Sequence, residues 1–468
     1  MTMESPQIGA RVRRLRRQRH VAQGELAAAI GISASYLNLI EHNRRTVTVP
    51  LLLKLAGYFG IEAGELAQSD DSRLAGDLME VFGDDMFADL DLTNQDIRDL
   101  ARTNPVAARA TLHLFDKFRE LRGEEAHQQP RNVTGRVYHG ATDAISDFVQ
   151  ENANHFPALE DAAERVRQDI DAASDSFETG LRTYLRNVFG MDWRLASLPD
   201  GIARRLSRDG RTIEISDTLP PETVQFSLCH HLGLMAARSE TEQIIAHSTL
   251  PGNDAPALAR NVLASYFAAA LIMPYAPFLK AVQINRYDVE RTARQFGASF
   301  EQVCHRMTSL QRPGASGIPL HLVRTDIAGN ISKRFSLSGI HIPRHSGACP
   351  RWNVYSAFLQ PGQINIQLSR MPDGETYFCI ARSYAKGSFR HHAQLRHLSV
   401  GLGCHISHAS KLIYSDGIDL KNEARVVPIG VGCRICPRQS CEQRAHPPAD
   451  HRFNLSDAER GESLYARI

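Results

Sequence analysis

Three cysteines, Cys433, Cys436 and Cys441, stand at C-x2-C-x4-C spacing near the C-terminus of this 468-residue chain. Two thiolates two residues apart can reach one metal ion from a single tight turn. A tetrahedral site or a four-iron cluster needs a fourth ligand. Cys404, which follows Gly403, is the first candidate, and Cys349 and His408 come after it. Zinc would need no redox role, whereas a [4Fe–4S] cluster could sense oxidation or brace the fold. Arg434 and Arg438 would soften the negative charge of either assembly. The alternative is a set of free structural cysteines. Cys229, Cys304 and Cys379 lie in apolar patterns and read as core residues. Eight cysteines are too few for a disulfide scaffold in so long a chain, which points to a reducing cytoplasm.

A second cluster lies in Phe226–Ala236, FSLCHHLGLMA. It is similar to the zinc-peptidase helix H-E-x-x-H, in which two histidines at i and i+4 hold zinc and the glutamate is the general base. His230 holds the first ligand position. His231 replaces the base and Leu234 the second ligand. Downstream, Asn261–Pro274 resembles the following helix of such peptidases, and Asn261 stands where a glutamate completes the site. The pattern predicts a retained peptidase-like fold without catalysis. An active, repressor-cleaving peptidase is the competing reading, opposed by Leu234 and Asn261.

The N-terminal segment carries chemistry of another kind. Residues 1–61 hold nine Lys and Arg against three Glu, and residues 62–100 hold twelve acids against Arg73 and Arg98. A basic head beside an acidic segment suggests a polyanionic partner for the head. Within it, Leu26, Ala27 and Ile30 form one buried face, and Gly31 supplies a tight turn. Ser33 is suited to cap the next helix, where Leu37 and Ile40 point inward. Ser35, Tyr36 and Asn38 are then left to read base edges, together with Gln23. Arg14, Arg44 and Arg45 suit phosphates. Over about 60 residues this segment resembles the Cro/repressor-like helix-turn-helix class. That resemblance implies double-stranded operator DNA as partner and a homo-oligomer, a dimer or dimer of dimers.

The elements that must position these residues suggest a multidomain chain. Residues 1–67 read as an α-helical helix-turn-helix domain and 68–130 as a helical connector ending in the polar GEEAHQQP stretch. An α+β peptidase-like domain follows over 131–315, with helices near 222–237 and 258–273. An α+β effector domain with the cysteine cluster spans 316–445, and 446–468 is a tail. Strands are expected at Trp193–Leu195, Thr212–Ile215, His321–Arg324, Gly339–Ile342, Ile364–Leu368 and Tyr377–Ala381. No apolar run reaches the roughly 18 residues of a membrane span, so no membrane partner is expected. The arginine-rich N-terminus has no apolar h-region to mark export.

Taken together, the chain resembles the short-chain fatty acyl-CoA regulator family. The matching stretches are Phe296–Pro313, Asp326–Arg334, Gly347–Trp352, Met371–Gly374, Tyr414–Leu420 and the cysteine segment ending in Gln443-Arg444-Ala445. The resemblance implies a transcription regulator of acetate, propionate, methylcitrate or glyoxylate genes, with a short-chain acyl-CoA as effector and no enzyme activity. A redox-responsive regulator that senses through the cysteines is the alternative. Coenzyme A needs cations for its phosphates and an apolar slot for the acyl chain. Arg334, Arg344, Arg351, Arg382 and Arg390 lie among the C-terminal strands and are the candidates for those cations.

Overall fold

The computed structural model describes residues 9–18, 21–41, 45, 47–59, 71–87, 90, 92–125, 134–199, 201–252, 254–344, 348–387 and 394–447. The chain divides into two compact units, residues 1–82 with 92–114, and residues 83–91 with 115–468.

In the first unit, α1 (Gly9–Gln18), α2 (Gln23–Ile30), α3 (Ala34–Glu41) and α4 (Val49–Phe59) enclose Val12, Leu26, Leu37, Ile40, Leu55 and Phe59. Gly31 ends α2 at φ +74°, and its N–H returns to the carbonyls of Ala27 and Ala28. A side chain there would be strained, so the turn depends on glycine. α5 (Asp71–Phe82), α6 (Asn94–Thr103) and the start of α7 (Pro105–Glu125) form a second small core around Leu74, Leu78, Ile97 and Ala108. Thr93 opens α6 with a reciprocal box to Asp96.

In the second unit, α8 (Thr134–Glu151), α9 (Pro157–Ala173) and α10 (Phe177–Phe189) precede a three-stranded sheet. Its strands β1 (Asp192–Ala196), β2 (Arg204–Leu206) and β3 (Thr212–Ser216) run in the order β1-β3-β2. Helices α11 (Pro221–Ala236), α12 (Arg238–Ala246), α13 (Asp254–Ile272), α14 (Tyr275–Ile284), α15 (Val289–Phe296) and α16 (Phe300–Thr308) follow. By length and composition α13 could cross a membrane, but it is a core helix that buries Leu263, Phe267 and Leu271 completely. α11 crosses it so closely that a Cβ on Gly233 would meet the Phe267 ring at 2.9 Å.

A small hairpin, β4 (Gln311–Arg312) with β5 (Ala315–Ser316), leads into β6 (Leu320–Asp326), β7 (Ile331–Ser336), the short α17 (Asn353–Ser356), β8 (Asn365–Arg370), β9 (Thr376–Lys386), β10 (Arg396–His405) and β11 (Val426–Pro428). The six-stranded sheet has the order β11-β8-β9-β10-β6-β7 and is antiparallel except for β11 on β8. Its β10, RHLSVGLGCH, was not expected as a strand. Gly401 and Gly403 are there because Val354 and the His321 ring lie only 2.5 Å from where their Cβ atoms would be. Gly339–Ile342 is not a strand: Gly339 sits at φ +93° and Pro343 follows, so Ile340 and Ile342 are buried from irregular backbone.

Apolar packing continues across residue 315. One apolar cluster runs from Phe148 through the peptidase-like helices to Val400, Leu402 and Leu412. At its centre Arg306 makes a bidentate pair with Glu160 at 2.6 and 2.9 Å, and Tyr266 donates to the same carboxylate at 2.6 Å. Burial alone would push the Glu160 carboxyl up; Arg306 and Tyr266 outweigh it and hold it below the ordinary value.

Candidate nucleic-acid interface and ligand-bearing clusters

α3 separates its faces as a reading helix requires. Leu37 and Ile40 are fully buried, while Ser35 and Asn38 are exposed and Tyr36 is half-buried. Ser33 Oγ accepts the Tyr36 N–H at 3.1 Å, which satisfies one of the unpaired donors at the helix start. Gln23 lies beside this face and donates to Asn38 Oδ1 at 3.4 Å and to Glu41 Oε2 at 3.0 Å. Arg45 is exposed. Arg44 and the Arg14 side chain lie outside the described residues.

Sequence reasoning missed what fixes the angle of α3. Arg16 of α1 donates to both oxygens of the buried Glu41, at 2.6 and 2.9 Å. One of the basic head's arginines is therefore an internal brace. An acid at the inner end of an otherwise apolar helix face was the only available signal.

On α11, His230 Nε2 lies 3.2 Å from the Asn261 carbonyl and Nδ1 lies 3.3 Å from Arg204 Nη1. Burial first, and then the Arg204 charge, hold both His230 and His231 down to about 4, so both are neutral at pH 7. The exposed Asn261 amide donates to Ala257 O in its own helix at 3.1 Å.

Cys404 is not beside the cysteine turn. It lies on β10, fully buried in the large apolar core, where burial pushes its thiol up to about 12. Cys349 lies nearer to that turn. The Cys349 N–H donates to Val431 O at 2.9 Å, and the adjacent Trp352 indole donates to Gly430 O at 2.9 Å. Burial first, and then the neighbouring Cys433 and Cys436, push the Cys349 thiol up. The buried Arg444 holds the turn by its carbonyls, donating to Cys433 O, Cys436 O and Arg438 O at 2.5–2.7 Å. Among the described residues, no group of three or more His, Cys, Asp or Glu is arranged to hold a metal ion. The Cys349 partnership spans 84 positions of sequence from Cys433, and no local spacing could have revealed it.

Of the C-terminal arginines, three are taken up by carboxylates. Arg334 pairs with Asp143 at 3.2 Å, Arg344 with Asp147 at 2.8 Å and Arg382 with Glu290 at 3.0 Å. They tie the sheet to α8 and α15, so the charge left for a phosphate is smaller than the arginine count suggests. Arg351 is half-buried, and Arg390 lies outside the described residues.

Comparison with known proteins accounts for this assembly of parts. Residues 12–66 match a helix-turn-helix family, 188–308 the IrrE N-terminal-like domain, and 309–465 the C-terminal region of short-chain fatty acyl coenzyme A regulators. The chain is 35% identical over 461 residues to the HTH-type transcriptional regulator PrpR of Mycobacterium tuberculosis, covering 97% of this chain and 94% of that one. It is 36% identical to the propionyl-CoA carboxylase regulator of Cereibacter sphaeroides, covering 97% of each. RamB of Mycobacterium tuberculosis, another HTH-type transcriptional regulator, is 34% identical over 97% of each chain. A solved Mycobacterium tuberculosis transcriptional regulator superimposes with a TM-score of 0.66 at 36% identity, over 70% of this chain and 99% of that one. The chain belongs to the short-chain fatty acyl-CoA regulators and is a helix-turn-helix, DNA-binding transcription regulator.

Proposed function

We propose that this regulator controls genes of short-chain acyl-CoA metabolism and that a short-chain acyl-CoA, propionyl-CoA or acetyl-CoA first, is its effector. The observation that carries this reading is likeness along nearly the whole chain to a regulator named for propionyl-CoA carboxylase. The DNA contacts we assign to Gln23, Ser33, Ser35, Tyr36 and Asn38 for bases and Arg14, Arg44 and Arg45 for phosphates, in a cytoplasmic homodimer or dimer of dimers. The exposed polar face of α3 supports that assignment. The protein acts without catalysis, since the peptidase-like cleft keeps one ligand histidine and no carboxylate base. The test is operator binding in the presence of propionyl-CoA, acetyl-CoA and free coenzyme A. A short acyl-CoA should shift the affinity, and free coenzyme A should do less because the acyl slot is empty.

For the cysteine turn we propose a zinc ion or an iron–sulfur cluster held by Cys349, Cys433, Cys436 and Cys441, with Cys349 in the role first given to Cys404. The approach of Cys349 to the turn supports this; burial pushes the Cys436 thiol up, and the cations of Arg444 and Arg438 beside it act against that. Metal content of anaerobically purified protein, compared with a Cys349→Ser and a Cys404→Ser variant, tests it: only Cys349→Ser should release metal.

A further inference from the structure

Among the described residues, Arg204 is a cation without a counter-charge. It reaches from β2 to α11, where Nη1 donates to Ser227 O at 2.7 Å and lies 3.3 Å from His230 Nδ1. The next residue, Arg205, pairs with Glu214 at 2.6 Å, and Arg194 takes the other oxygen of the same carboxylate at 2.6 Å. Glu214 is thus fully engaged. Among the described residues, no ion pair reaches Arg204, and both histidines beside it are neutral.

A partly buried guanidinium loses part of its water and recovers that cost most fully from an anion. The Nε and Nη2 groups of Arg204 make no hydrogen bond among the described residues, and neither atom is sealed from solvent. These two N–H groups form the edge of the guanidinium that fits two oxygens of a carboxylate or phosphate. Close by, His231 Nε2 is buried without a hydrogen-bond partner among the described residues. Peptidases of this pattern concentrate positive charge here as a metal ion; in this chain a fixed guanidinium supplies it and repels any divalent cation that approaches His230.

We propose that Arg204 forms an oxyanion site above the former peptidase helix α11, in which its Nε–Nη2 edge clamps a phosphate or carboxylate group on the side of the guanidinium away from His230, while Nη1 stays against that histidine. The site does not depend on the acyl-CoA reading, because it is read out by anion binding at Arg204 and not by operator affinity. Inorganic phosphate and acetate, each against chloride at matched ionic strength, serve as probes of the full-length protein. Ring signals of His230 and His231 in nuclear magnetic resonance report the site. One of the two anions should saturate these signals, phosphate if the natural ligand bears a phosphate and acetate if it bears a carboxylate. Arg204→Gln should weaken that binding about tenfold, the scale of one charge-assisted contact. Arg204→Lys, which keeps the charge but not the fork, should fall between, and Arg205→Gln should bind as the parent does. The proposal is overturned if neither anion moves either histidine signal, or if folded Arg204→Gln binds as tightly as the parent.

Discussion

On α3, Ser35 and Asn38 face solvent over a buried Leu37 and Ile40; on α11, His230 is tied into the interior by Asn261 O and Arg204. Each helix carries a motif that the sequence singles out, and each compact unit contains a buried arginine–glutamate pair. In the head, Arg16 reaches across to Glu41 on the inner face of the reading helix, so the pair orients that helix and leaves its polar face open. In the body, Arg306 and Glu160 join α16 to α9 deep in the core, at 1% and 2% exposure, and face no cleft residue. The contrast is one of accessibility: the polar face of α3 is open to solvent, His230 is engaged in the interior, and a buried arginine–glutamate pair braces the packing in either unit.

The comparison can be broken most sharply at the deeper brace. Glu160→Gln should destabilise the second unit by about 3–5 kcal/mol, because it leaves Arg306 buried and uncompensated. Denaturant unfolding measures this. Since Glu160 is held below its ordinary value, its contribution is present at neutral pH and disappears as pH falls through and below the ordinary carboxylate range, about 4.3. A Glu160→Gln protein as stable as the parent would show that the pair braces nothing.

Glu41→Gln should have a smaller effect, roughly 1.5–3 kcal/mol, because Arg16 keeps some contact with water. It should also weaken operator binding through the tilt of α3, although Glu41 is buried and cannot touch DNA. Unchanged operator affinity in this variant would separate the brace from the reading face.

On the exposed face, Asn38→Ala should alter preference among operator sequences by about 1–3 kcal/mol. Arg45→Ala should weaken all sequences alike and lower the salt slope by about 1. Competition binding against operator variants distinguishes them, and identical profiles would remove Asn38 from base reading. Least affected should be His230→Ala, which should leave operator affinity within about 0.5 kcal/mol, as for substitutions remote from a functional face.

Local pattern made the head legible. Gly31, Ser33 and the apolar spacing around Leu37 specify the turn and the reading helix from residues a few positions apart. The peptidase-like helices were legible for the same reason, at 221–236 and 254–272. What escaped were contacts over long separations. Glu41 meets Arg16 from 25 residues away, and His230 meets Arg204 from 26. Cys349 lies near the cysteine turn, and Cys404 does not, because the segment before α17 hydrogen-bonds to Gly430 and Val431 just after β11. Arg334, Arg344 and Arg382 looked available for phosphates because their carboxylate partners lie 92–197 residues away. The strand β10 was hidden by glycines that serve the packing of Val354 and His321.

Effector control is the central claim, and linkage provides its most direct test. An effector acts only if it binds the DNA-competent and DNA-incompetent arrangements with different affinity. Calorimetry of propionyl-CoA and acetyl-CoA binding to the full-length protein, alone and saturated with operator, measures that difference. Operator DNA should change acyl-CoA affinity by roughly 5–150-fold, and the acyl-CoA should change operator affinity by the same factor. Absence of binding by any short acyl-CoA, or binding that is the same with and without operator, would contradict the account.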